Sequence, residues 1–382
     1  MKKQYEITIQ PLTAIHIGTG NSIPLMEYLT AEVIKQERFI VYSQESILQR
    51  VVKDPKKIVE YERASNDPSL TSLRKFFLAN FQKNKDISHI CDLTDGFKTL
   101  YDIKSKGNPL DSSLEVFEMY RPAGKMSAVI PGSSFKGALR TAMLNLVMHE
   151  WPDEKFYDKN YDDIKRAQQS FAYRDAANIE KRVQKDIMGN DPKNDLFRTF
   201  AFGDAAFDPK GSQIVGKIEN IARKGDTLVI KGIPIYTEAL KGTLMGNSTT
   251  GKSRATIDID LQKVNFGGHR YASMEDLVRA CQYFFKREFI NEADNFYAEI
   301  SDSRLKLYKK LYDIITNLDE SNKAIFPMRL GRWSQAEFVT FEKIYRMPKV
   351  PRDHGYGDTR MVFDYNGQLL PMGWCLCIVK EI

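Results

Sequence analysis

The chain has 382 residues, 42% of them apolar, with 22 Phe and 18 Tyr. That length and composition exclude a disordered chain and leave room for two or three domain cores. The 56 Lys and Arg against 50 Asp and Glu give a net charge of +6, which permits a nucleic-acid partner but makes the placement of charge matter more than its total.

Tyr5, Ile7 and Ile9 alternate with Glu6, Thr8 and Gln10, the period of a strand with one wet face. After the loop AIHIGTGNS comes a second strand-like run, RFIVYS, at 38–43. Helical spacing follows at Ile47, Leu48, Val51 and Val52, and again over 69–82. A strand-like EVFEMYR leads to PGSSFKGALRTAMLNLVMHEW, where Phe135, Ala138, Leu139, Ala142, Met143, Leu146 and Val147 predict an amphipathic helix capped by Ser133 or Ser134. The charge-rich, Gly-poor stretch 152–195 reads as an exposed helical or partly mobile insertion. Strands are predicted in FRTFAFGDAAF, DTLVIKGIPIYTEAL and RATIDIDL, a long helical region over 273–318, and final strands near 337–345, 360–365 and 373–379. WCLCIV, apolar on both faces, suits a central strand.

Strands and helices do not alternate regularly, so an α+β class with largely antiparallel sheets is expected, in two domains, 1–210 and 211–382. The four cysteines, Cys91, Cys281, Cys375 and Cys377, lack zinc spacing; buried thiols in a reducing compartment are expected, not disulfides. MKKQYEITIQ has no apolar run after its lysines and no segment reaches spanning length, so no signal peptide, no membrane contact and a cytoplasmic location are expected.

GNSTTGKS, residues 246–253, spells a phosphate-cradling loop. Such a loop needs a buried strand before it and a helix after it. Ile257, Ile259 and Leu261 downstream alternate with polar residues, so a strand-connecting loop is expected and nucleotide hydrolysis is not. Four other Gly/basic patches are candidates. His16, Gly18 and Gly20 lie in a loop whose glycines allow close backbone approach, to a partner or simply within a tight turn. Ser133, Ser134, Lys136 and Arg140 surround a helix start suited to phosphate, or merely a capped helix with solvated cations. Arg329, Gly331, Arg332 and Trp333 combine guanidinium, backbone and indole, as single-stranded RNA binding does, unless Trp333 packs inward. Lys349, Arg352, His354, Tyr356 and Arg360 share a Pro/Gly loop.

Catalytic groupings are poorer. No H-x-x-x-H, H-x-H or G-x-S-x-G occurs, so no metal, cofactor or nucleophile is expected. His16 reads as structural, with a general base near an RNA 2′-OH as its alternative role. Asp204 in FGDA reads as a carboxylate fixing a turn.

IHIGTGNSIPLMEY, PGSSFKGALRTA and RLGRWS together resemble the repeat-associated mysterious proteins (RAMPs) of CRISPR effector complexes. FGDAA, PIYTEALKGT and the IDID strand add a narrower resemblance to the subunit that caps the crRNA 3′ end in type III-A Csm complexes. The resemblance implies two ferredoxin-like (RRM-like) domains with helical insertions, and a non-enzymatic RNA-binding role in crRNA maturation and antiviral defence. It implies crRNA and other Csm subunits as partners, target RNA indirectly, and a recruited host nuclease. It places His16, Gly18 and Gly20 in the first loop, Ser133, Ser134, Lys136 and Arg140 at the RNA-facing helix start, and Gly331, Arg332 and Trp333 in the late loop. RNA-cutting relatives use an Asp in an N-terminal loop, where this chain has Met26-Glu27-Tyr28. The rival expectation is a metal-independent endoribonuclease using His16.

Overall fold

Tyr5, Ile7 and Ile9 point into the core with polar residues between them, and β1 (Lys2–Pro11) forms the middle of a sheet. A computed structural model describes residues 2–33, 35–150, 162–163, 166, 173–188, 193, 195–258, 271, 273–339 and 358–382. In chain order the early strands are β1, β2 (Gly18–Ile23), β3 (Tyr28–Val33), β4 (Gln36–Tyr42), β5 (Ile87–Leu93), β6 (Val116–Met119) and β7 (Val129–Ile130). Then come β8 (Phe200–Phe202), β9 (Ala205–Ala206), β10 (Gln213–Lys224), β11 (Thr227–Leu240) and β12 (Gly251–Asp258). The last are β13 (Ile325–Arg329), β14 (Thr359–Tyr365), β15 (Gln368–Pro371) and β16 (Trp374–Glu381). The α-helices are α1 (Gln44–Val51), α2 (Pro55–Ser65), α3 (Thr71–Asn80), α4 (Asp95–Lys104) and α5 (Gly132–Glu150). They continue with α6 (Tyr173–Met188), α7 (Met274–Cys281), α8 (Arg287–Glu292) and α9 (Lys306–Thr316).

The first sheet runs β13-β16-β1-β12-β9-β7, with β8 also on β12, and all its pairings are antiparallel. Helices α5 and α7 pack together against it, and Phe135, Leu139, Met143, Leu277 and Val278 share one core with Ile7 and Ile9. WCLCIV is indeed an inner strand, since β16 lies between β13 and β1. The second sheet runs β2-β6-β11-β10-β5-β4-β3, with the β14–β15 hairpin joined to β10. Here the expectation of largely antiparallel sheets needs correction: β5 runs parallel to β10, and β6 parallel to β11. The β10–β11 hairpin inserts between β5 and β6, meeting each on its parallel side. Hydrophobic alternation carries no information about strand direction. Both sheets take strands from either side of residue 210, where the domain boundary was expected.

Helix α5 begins one residue earlier than its expected caps. Ser133 and Ser134 lie inside it, and the Gly132 N–H donates instead to Asp204 Oδ1 at 2.8 Å. A Cβ at residue 132 would sit 2.0 Å from the Phe202 carbonyl oxygen, so glycine is what lets the helix start this close to β8. The insertion is not simply exposed: Ile179, Val183, Ile187 and Met188 of α6 are buried in the first core. In GNSTTGKS, Gly251, Lys252 and Ser253 already belong to β12, and Lys252 Nζ pairs with Glu6 Oε1 at 2.8 Å across the sheet. No helix follows them directly, and the phosphate-loop geometry is absent. The strand expected near 337–345 begins instead as a 3-10 turn, Ala336–Phe338, and its later residues lie outside the described ones. All four cysteines are buried and free. Among the described residues, no helix is long and apolar enough to cross a membrane.

Candidate nucleic-acid interface

The HIGTG loop leaves β1 and is clamped from two sides. Ile15 exchanges backbone hydrogen bonds with Leu240 of β11, and the Ile17 carbonyl accepts from the Tyr120 N–H at 2.7 Å. His16 is fully buried between them. Its Nδ1 lies 2.7 Å from the Glu238 carbonyl oxygen and 2.9 Å from Thr237 Oγ1. A carbonyl can only accept, so Nδ1 carries the proton. Burial lowers the ring's pKa from 6.5 to about 4, against the opposing pull of Glu238; the ring is neutral at pH 7. Gly18 covers Nε2, and a Cβ there would sit 2.6 Å from that nitrogen. Beyond it Gly18, Thr19, Gly20 and Asn21 are exposed, with Gly20 at a φ of 93°.

The RLGRWS turn closes on the same loop. The Arg332 N–H donates to the His16 carbonyl at 2.8 Å. Gly331 has a φ of 88°, and a Cβ there would lie 2.4 Å from the His16 carbonyl oxygen; no larger residue allows this approach. The Trp333 ring packs 5.1 Å from His16 and 6.1 Å from Phe117. It is half-buried, so part of the expected stacking face is already covered. Arg332 itself is exposed, with its guanidinium 4.7 Å from the Phe117 ring and 4.8 Å from Trp333. The two loops thus build one surface: a cation held on aromatic rings beside an exposed glycine segment.

The helix-start candidates are otherwise engaged. Lys136 Nζ donates to the Phe200 carbonyl at 2.9 Å, and burial lowers its pKa. Arg140 makes a two-pronged contact with Asp195, at 2.8 and 2.7 Å. As phosphate contacts, both would have to leave these partners. Arg329 corrects the sequence reading outright: it is buried, donating to Glu292 Oε2 at 2.9 Å and to the Met372 carbonyl at 2.8 Å. Arg360 is likewise buried, 2.8 Å from Glu292 Oε1. Arg352 lies outside the described residues.

Sequence reasoning missed Glu238 and Arg121. Glu238 Oε2 accepts from Arg121 Nη1 at 2.7 Å and from the Met119 N–H at 2.9 Å, while its backbone carbonyl holds His16. One residue therefore ties both clamps of the loop together. Its signal was a lone acid in the apolar half of PIYTEAL.

The neutral His16 gives a pH prediction. A base whose folded pKa is depressed contributes full stability above its unfolded value, and loses it as pH falls from 6.5 toward about 4. His16→Phe should therefore show a shallower fall in melting temperature than wild type over that window. Equal slopes in the two proteins would remove the ring from the pH response.

The pattern of the RAMP superfamily matches residues 8–334, and the chain belongs to that superfamily. Two solved structures share the fold. One is a chain of the cryo-EM structure of a Csm–crRNA–target RNA ternary complex from a type III-A CRISPR-Cas system, with 16% identity, all of both chains covered and a TM-score of 0.61. The other is the crystal structure of T. onnurineus Csm5, with 18% identity, 97% of this chain and 99% of that chain covered, and a TM-score of 0.63. No curated protein sequence matches the chain.

Proposed function

We propose that this chain is a non-catalytic, crRNA-binding subunit of a type III-A CRISPR Csm complex, placed at the 3′ end of the guide and needed for its maturation. The observation that carries the reading is the closure of RLGRWS onto HIGTG, which leaves Arg332 exposed on Phe117 and Trp333 beside the open Gly18–Gly20 segment. Membership of the RAMP superfamily, and full-length likeness in fold to Csm5 and to a chain of a Csm–crRNA complex, support it. The first sheet lends further support. Its elements β1, α5, β8, β12, α7 and β16 follow in that chain order and lie β16-β1-β12-β8 in the sheet, the arrangement of a ferredoxin-like, RRM-like unit. The second sheet does not repeat that order, but it supplies part of the surface, Gly18–Gly20 from β2 and Phe117 from β6. Other Csm subunits, target RNA met through the guide, and a recruited nuclease are the partners this role entails.

The rival, RNA cleavage by His16, needs a reachable base of suitable strength. His16 is fully buried and its pKa is lowered to about 4, which supports binding over cutting. The test is RNA affinity of Arg332→Ala, whose side chain is exposed and whose loss should leave the fold intact. Affinity should weaken about equally for all sequences, and the salt slope should drop by about one unit. Unchanged affinity, with unchanged crRNA 3′ ends in the assembled complex, would remove Arg332 from the interface. Cleavage of repeat RNA that His16→Ala abolishes would favour the rival.

A further inference from the structure

Beneath the loop clamp, Glu238 meets two side chains that the RNA-binding reading does not use. His89 and Cys91 are separated by one residue on β5 and so face the same side of the sheet. Glu238 reaches them from β11, across the intervening β10. All three are buried, and one ligand atom from each, His89 Nε2, Cys91 Sγ and a Glu238 oxygen, lie within 4.8 Å of one another.

The two oxygens of Glu238 divide the work. Oε2 is fixed by Arg121 and the Met119 N–H. Oε1 faces His89 Nε2 at 2.5 Å and Cys91 Sγ at 3.5 Å. An outer partner that orients one carboxylate oxygen, while the other points at an imidazole and a thiol, is how metal ligands are commonly held. Around a tetrahedral zinc with bonds of about 2.0–2.3 Å, ligand atoms are roughly 3.3–3.8 Å apart. The Glu238–Cys91 separation already falls in that range and the Glu238–His89 one is shorter, so the carboxylate and imidazole need only move apart around the ion. We propose that His89, Cys91 and Glu238 form a binding site for one divalent zinc-class cation, which pins β5 to β11 under the His16 loop.

An imidazole, a thiolate and a carboxylate are a ligand set that favours zinc over magnesium or calcium. Binding would release two protons to solvent, one from the Cys91 thiol and one from His89 Nε2, which now faces Glu238 Oε1, so that Nε2 coordinates through its lone pair. Thiolate and carboxylate then balance the charge of the ion, and Arg121 remains beside them. Arg121 Nη2 lies 3.8 Å from Cys91 Sγ, so the thiolate would already face a cation. Because the thiol must lose its proton to bind, affinity should fall as pH drops.

The test uses the full-length chain. Purified without chelator, it should carry about one equivalent of zinc, and Cys91→Ser should carry about tenfold less. After chelation, added Co2+ should give thiolate-to-cobalt charge-transfer absorption in wild type and none in Cys91→Ser. Cobalt titration of wild type stands alone if the variant does not fold. Metal-free wild type with no charge-transfer band would overturn the proposal. So would a band that survives in Cys91→Ser, because the ion would then sit on Cys281, Cys375 or Cys377.

Discussion

Glu238→Ala should cost about 3–5 kcal/mol of folding stability, because it leaves the Arg121 guanidinium in the interior without its carboxylate. The Arg121 and Glu238 side chains are 7% and 0% exposed, and Nη1 and Oε2 are 2.7 Å apart. Solvent therefore screens the pair little, and no water replaces the lost partner cheaply. Desolvation pushes the Glu238 carboxyl up, but the charges of His89 and Arg121 outweigh it and hold its pKa below the ordinary 4.5. A carboxylate depressed in this way contributes stability that is fully present above its unfolded pKa and is lost as pH falls below 4.5. Denaturant titrations at neutral pH and near pH 4 should show the gap between wild type and variant narrowing with acid. The loop above depends on the same side chain, since Oε2 holds the Met119 N–H next to Tyr120, whose own N–H clamps the Ile17 carbonyl. RNA binding should therefore weaken even where the variant stays folded. A cost under about 1 kcal/mol at neutral pH would mean that Arg121 finds another buried acceptor; Gln213 Oε1, which already accepts from Arg121 Nη2, is the nearest one.

How much of this was legible in the sequence depended on the range of the interaction. Period-two burial in β1 and helical spacing in α5 are local, and both elements formed where the pattern placed them. The rejection of GNSTTGKS as a nucleotide loop was also local, resting on the alternation after it; burial alternates along β12 as far as Asp258, and Ile259 and Leu261 lie outside the described residues. Partnerships were not legible. His16 and Glu238 are 222 positions apart, and Arg140 meets Asp195 at the far end of the insertion. A helix start with two cations looks the same in sequence whether those cations are free or already bonded. Arg329 shows the limit most plainly. RLGRWS reads as one exposed basic turn, yet β13 ends at Arg329 with that side chain turned into the core, and only Arg332 emerges. The chain direction within the second sheet was equally hidden, because alternation is the same for parallel and antiparallel neighbours.

Glu292→Ala is the second substitution with a large expected cost, and it bears on how the two sheets are joined. Glu292 ends α8, between π-helical turns at Gln282–Lys286 and Ala293–Tyr297, which shift the register of the helix along this face. Its Oε2 accepts from Arg329 Nη1 at 2.9 Å, and its Oε1 lies 2.8 Å from Arg360 Nε. Arg329 belongs to β13 of the first sheet and Arg360 to β14 of the second. A single carboxylate thus bridges guanidinium groups from both sheets, and all three side chains are at most 2% exposed. Removing it takes the carboxylate away from two buried guanidinium groups; among the described residues Glu337 also faces Arg360, 3.2 Å from Nη2. The expected loss is at least the roughly 3–5 kcal/mol of a broken buried pair. Arg329 would keep its place over the Phe338 ring, 4.4 Å away, and its bond to the Met372 carbonyl, so the strand should hold while the junction weakens. Pairing Glu292→Leu with Arg329→Met tests this directly. If the charges act together, the double variant should be less damaged than the sum of the single ones, since no uncompensated cation remains on that side. Additive costs would mean that Glu292 and Arg329 contribute separately, through packing, and that the carboxylate is not what couples the sheets.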